Sequence, residues 1–128
     1  MANKTFYGVK SRGRERVDIC GSFAPNGSSA VSSASVKGAG FTVVRDSAGL
    51  FKVTLEETFP NYDCVLVTLQ ENSAATTNFV KLQGAVDLST NKTFYIANAP
   101  GGTLTDIAAN ANNRIHFRVC AKNTSVGS

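Results

Sequence analysis

Tryptophan is absent from this chain, histidine and methionine occur once each, proline three times, and only 17% of the residues carry charge. Each scarcity excludes something. Without tryptophan there is no Cys…Trp…Cys pattern of true immunoglobulin domains. A single histidine and three widely spaced cysteines, with no Cys-x-x-Cys, indicate neither a zinc site nor a redox motif. No apolar run approaches the ~18 residues that a membrane-spanning helix needs. The opening MANKTFYGVKSRGRERVDIC has no apolar core of signal-peptide length, so the protein is expected to be made and kept in a cytoplasm, or packed there into something larger. Neither Gly-x-Ser-x-Gly nor a phosphate-binding Gly-x4-Gly-Lys-Ser/Thr occurs.

What is present is a 128-residue chain, 42% hydrophobic, sized for one domain with a single core. Its divisions read as a basic arm over 1–14, a β-sandwich domain over 15–122 and a polar tail over 123–128. The net charge of +4 is unevenly spread. Lys4, Lys10, Arg12, Arg14 and Arg16 crowd the start of the chain, where Glu15 is the only acid. The arm is either a solvated terminus or docked on neighbouring protein; nucleic acid stands well behind, because no basic groove interleaved with aromatics follows it. Cys20, Cys64 and Cys120 read as buried or half-buried free thiols, with a Cys20–Cys120 or intersubunit disulfide as the lesser alternative.

The patterning centres on Gly40 to Glu56. Phe41 and Val43 alternate with Thr42 and Val44; Phe51, Val53 and Leu55 alternate with Lys52, Thr54 and Glu56. Period-2 runs on both sides of Arg45-Asp46-Ser47-Ala48-Gly49 predict a β-hairpin with a four- or five-residue loop. Five apolar side chains then share one face, which the rest of the chain must cover. Before the hairpin, a first strand is predicted over 15–23, stopped by Pro25-Asn26-Gly27, followed by an edge strand or extended linker over 28–40. After it, Pro60 forces a loop. Asp63 to Gln70 is apolar on both faces and reads as the most interior strand. Asn78 to Asp87 is a strand with Gly84 as a candidate bulge; Lys92 to Asn98 is another, with Phe94 and Ile96 inward. One helical turn is expected over Thr105 to Ala111, capped by Thr105 or Asp106. Asn113 to Lys122 closes the set, with Ile115, Phe117 and Val119 on one face and Arg114, His116, Arg118 and Cys120 on the other. Some seven or eight short strands with little helix predict an all-β antiparallel sandwich, jelly-roll-like ahead of an immunoglobulin-like Greek key.

No catalytic constellation is legible, and the chain is read as a non-enzyme without cofactor, metal or small-molecule substrate. His116 lies between Arg114 and Arg118 with no nucleophile motif near it, and reads as a surface or interface residue. Glu56 and Glu57 point to opposite faces if extended and cannot flank one glycosidic bond. Asp46, Asp63, Asp87 and Asp106 sit in or beside loops without a calcium-loop spacing, and read as turn caps.

Gly40-Phe41-Thr42-Val43-Val44-Arg45, then Gly49-Leu50-Phe51-Lys52-Val53-Thr54-Leu55, a proline-containing loop, and Asn113-Arg114-Ile115-His116-Phe117 together resemble small β-rich virion structural proteins of tailed bacteriophages, of the head decoration or cement and head-fibre types. The resemblance spans about residues 38 to 120. It implies a homotrimer bound to other capsid proteins in a virion, with no membrane association. Lys4, Lys10, Arg12, Arg14, Arg16, Arg114, His116 and Arg118 are the expected subunit contacts. The alternatives are a receptor- or glycan-binding tip module using Tyr62, Tyr95 and the 98–104 loop, and a coat protein packaging nucleic acid through its arm.

Overall fold

The computed structural model describes residues 16–74 and 77–123. Lys4, Lys10, Arg12 and Arg14 of the arm, and most of the polar tail, lie outside them. Eight strands run in the order β1 (Arg16–Phe23), β2 (Lys37–Gly38), β3 (Phe41–Ser47), β4 (Leu50–Leu55), β5 (Asn61–Gln70), β6 (Val80–Asp87), β7 (Thr93–Asn98) and β8 (Arg114–Lys122). They form two four-stranded antiparallel sheets, β2-β1-β8-β5 and β3-β4-β7-β6, packed face to face as a β-sandwich. The hairpins β3-β4 and β6-β7 stay within the second sheet, while β2 to β3, β4 to β5, β5 to β6 and β7 to β8 cross between sheets. With four crossings, neither sheet can be peeled away without drawing on the other.

The central hairpin forms as its alternation predicts. Phe41 pairs with Leu55, Val43 with Val53 and Arg45 with Phe51, which sets the five apolar side chains on one face. Phe41, Phe51, Val53 and Leu55 are buried, and Val43 packs half-buried beside them. The first sheet answers with Ile19, Phe23, Val65, Ile115, Phe117 and Val119. Three ring pairs stitch the layers: Phe23 on Phe51 at 5.1 Å, Phe41 on Phe117 at 4.8 Å and Phe94 on Phe117 at 5.7 Å between centroids. Each pair has one ring from each sheet, in the tilted or edge-on packing that aromatic quadrupoles favour. Loops plug the ends of the stack. Phe59 and Leu88 close one end, joined by Phe59 N–H donating to the Leu88 carbonyl at 2.9 Å, and Ile107 is fully buried at the other.

Three expectations need correction. The hairpin loop is shorter than predicted: β3 continues to Ser47 and β4 resumes at Leu50, leaving Ala48-Gly49, because a register shift between Arg45 and Ser47 absorbs the extra residue. β5 is not the most interior strand but an edge of the first sheet, with Val65, Val67 and Leu69 turned to the core and Leu66 57% exposed. Two apolar faces therefore record one face that meets the core and one that no described part of the chain covers. Finally, residues 105–111 form no helical turn. Asp106 spends its carboxylate on Arg45 and on Gly49 N–H instead of on a local cap. The candidate bulge at Gly84 is present as a register shift between Gln83 and Asp87, with Gly84 at φ +73°.

Candidate interaction face

The outer face of the first sheet carries most of the chemistry-bearing side chains, and the register places them in rows. Asp18, Cys120 and Cys64 lie side by side across β1, β8 and β5. Cys20, Arg118 and Leu66 form the next row, and Ser22, His116 and Thr68 the third, with Lys37 of β2 beside Ser22. Arg114 pairs with Gln70 at the end. Alternation along β8 is the reason: with Ile115, Phe117 and Val119 committed to the core, Arg114, His116, Arg118 and Cys120 must face outward.

Arg114, His116 and Arg118 are thus brought onto one face as predicted, yet each is engaged within the chain. Arg114 donates to Ser22 Oγ at 2.9 Å and to the Ser35 carbonyl at 2.6 Å, tying β8 across β1 to the turn at Ser33–Ser35. His116 Nε2 is 2.9 Å from Gln70 Oε1. Arg118 pairs with Asp18 at 2.9 Å, and that hydrogen bond above all raises the guanidinium pKa. Arg16, at the head of β1, pairs with Asp63. Of these cations, Arg16 and Arg118 are matched by carboxylates and Arg114 by neutral oxygens. Beside it sits an apolar element. A shallow hollow of about 330 Å³ lies on β5 and β8, lined by Leu66, Val67, Thr68, His116, Phe117 and Arg118. Leu66 and Phe79, which is 62% exposed just before β6, are the most exposed large apolar side chains among the described residues.

The thiols also gather here. Cys20 is exposed and pairs with Arg118, one step diagonally from Cys120, whereas Cys64 stands directly opposite Cys120. All three are free. Burial, then the hydrogen bond with Cys64, push the Cys120 thiol up to about 11. The expectation of buried or half-buried free thiols therefore needs correction at Cys20, which is exposed because it alternates outward on β1, and the direct neighbour of Cys120 is Cys64 and not the Cys20 of the lesser disulfide alternative.

Other candidates do not converge. Tyr62 belongs to β5 in the first sheet and Tyr95 to β7 in the second. Asp46 and Asp87 line one basin with Tyr95, but Asp87 caps the Thr90 N–H at 3.1 Å, Asp63 holds Arg16 and Asp106 holds Arg45. Among the described residues no group of three or more His, Cys, Asp or Glu is placed to hold a metal ion. Glu56 and Glu57 are exposed past the end of β4.

Sequence reasoning missed a polar knot under the hairpin tip. Asn98 is fully buried; its Oδ1 accepts from Phe79 N–H at 2.8 Å, and its Nδ2 donates to the Thr105 carbonyl at 2.8 Å and to Asn78 Oδ1 at 3.0 Å. Asp106 receives Arg45 through two bonds of 3.0 and 2.9 Å and Gly49 N–H at 2.9 Å. The Arg45 bond is the main cause that lowers the Asp106 pKa. These partners are 7 to 61 residues apart in the chain, and no local pattern announces them. The knot is structural: it holds loop to hairpin and leaves no group free to react. Comparison of the chain with protein-family models, curated proteins and solved structures gave no match.

Proposed function

We propose that this chain is a non-enzymatic structural protein of a bacteriophage virion, which decorates or cements a capsid as a homotrimer through subunit contacts. The observation that carries the reading is Leu66, 57% exposed beside an apolar hollow on the free edge strand β5. Exposed apolar area of this kind is favourable to bury, and an edge strand offers unpaired backbone groups to a neighbour. Arg118, His116 and Arg114 of the same face are each engaged within the chain, by Asp18, Gln70 and Ser22 respectively, which suits a contact surface more than a reaction centre. The capsid setting and the trimer rest on the resemblance of the 40–55 hairpin and the 113–117 strand to virion proteins. The test is size-exclusion chromatography with light scattering, followed by rebinding to particles depleted of the protein. A trimer that rebinds supports the reading; a monomer that leaves depleted particles bare overturns it.

A further inference from the structure

We propose that Cys64 and Cys120 constitute a redox-responsive dithiol site, which closes to an intramolecular disulfide by exchange with a small-molecule disulfide of the glutathione class. The two residues are direct register partners on antiparallel strands. Such partners have Cα atoms about 4.5 to 5.5 Å apart, inside the roughly 4.4 to 6.8 Å span that a disulfide bridges. Both stand half-buried on the outer face of the sheet, directly opposite one another. Cys20 is a diagonal neighbour of Cys120, and diagonal positions stand about 7 to 8 Å apart, too far for the bridge without backbone movement. β5 can make the small adjustment that closure asks of it, because it is an edge strand with a bulge immediately before Cys64.

The order of events follows from the surroundings. Cys120 is held protonated by burial, by Cys64 and by the neighbouring Asp18 carboxylate, so it is the poorer first nucleophile. Cys64 gives its proton to solvent, and its thiolate attacks one sulfur of the small disulfide. The Cys64–S bond forms, the small S–S bond breaks, and one thiolate leaves. Cys120 then loses its proton and attacks Cys64 Sγ, expelling the second thiolate. Two protein thiols are oxidised to one disulfide, the small disulfide is reduced to two thiols, and the two protons released by the protein end on the leaving groups. The bridge ties edge strand β5 to central strand β8 across 56 positions of sequence, from 64 to 120. A chain made where thiols are kept reduced would close it on reaching an oxidising medium. The third thiol does not make the cluster a metal centre, since the described residues hold no such group.

The test uses the full-length protein, reduced and then equilibrated with excess oxidised glutathione. Intact mass and peptide mapping are read before and after, with circular dichroism as the check on folding. The expected result is a Cys64–Cys120 linked peptide with no glutathione on either residue, Cys20 carrying at most a glutathione adduct, and a rise in Tm of about 10 °C that dithiothreitol reverses. Cys20→Ser behaves the same way. Cys64→Ser no longer closes, and Cys120→Ser stops as a glutathione mixed disulfide on Cys64. The proposal is overturned if the folded wild type keeps all three thiols or only gains glutathione. It is equally overturned if Cys20 is in the bridge or if every linkage runs between molecules.

Discussion

Asn98 shows at the scale of one residue what this fold spends on polar groups in its interior. An amide with no exposed surface is tolerable only when its donors and its acceptor are all occupied, and here every one is. Asn98→Ala would leave the Phe79 N–H and the Thr105 carbonyl without their partner, a loss of about 2 to 4 kcal/mol. In urea titrations the midpoint should fall while the m value stays put. Gly21 makes the complementary point about space. A Cβ there would strike the Phe41 ring and come within 2.8 Å of Phe117 Cζ, so the glycine lets two rings from opposite sheets lie against β1. Gly21→Ala should cost about 1 to 3 kcal/mol by overpacking, read from the same titration. Cys120 supplies a reactivity prediction. With its thiol pushed up to about 11 it is almost wholly protonated at pH 8, so alkylation by iodoacetamide should be slower there than at exposed Cys20, as residue-resolved mass spectrometry would report.

Elements in this protein were legible where neighbours in sequence are also neighbours in space. The 41–55 hairpin and β8 carry clean period-2 alternation, and the register confirms which side chains turn inward. β5 misled because alternation measures apolarity and not coverage: Leu66 is as hydrophobic as Leu69, yet only one of them packs against the core. The stretch around Asp106 misled differently. A carboxylate at the head of a short polar segment is a good local cap, but Arg45, 61 positions away, offers a bidentate charged partner that a backbone N–H cannot match. That pairing gives a pH dependence with a definite sign. The Asp106 pKa is lowered in the folded state, chiefly by Arg45, so its contribution to stability is complete above the ordinary carboxylate value and is lost as pH falls through the folded one. The stability gap between wild type and Asp106→Asn should therefore be widest near pH 7 and shrink below about pH 4, as urea midpoints at a series of pH values would show. A gap that held constant into acid would mean that the charge on Asp106 is not what anchors the hairpin tip.

For the whole molecule, the two sheets bury Phe23, Phe41, Phe51, Phe94 and Phe117 in the space between them, and the described outer skin is left with charged and small polar side chains and a few uncovered apolar ones. Among the described residues no buried side-chain nitrogen or oxygen lacks a partner. What is unmet lies outside, on the free side of β5. If another subunit covers Leu66, replacing it with Asp puts a carboxylate into a desolvated contact without disturbing the core, because the side chain stands away from it. The Leu66→Asp chain should thus keep its Tm within about 2 °C when assayed as a dilute monomer, yet fail to form the trimer proposed for the parent and fail to rebind depleted particles. A change at Val44, which is 51% exposed on the opposite sheet, serves as the control for surface apolarity in general. Dissociation by Leu66→Asp but not by Val44→Asp would assign the contact to the outer face of the first sheet, and equal indifference to both would remove that face from the assembly.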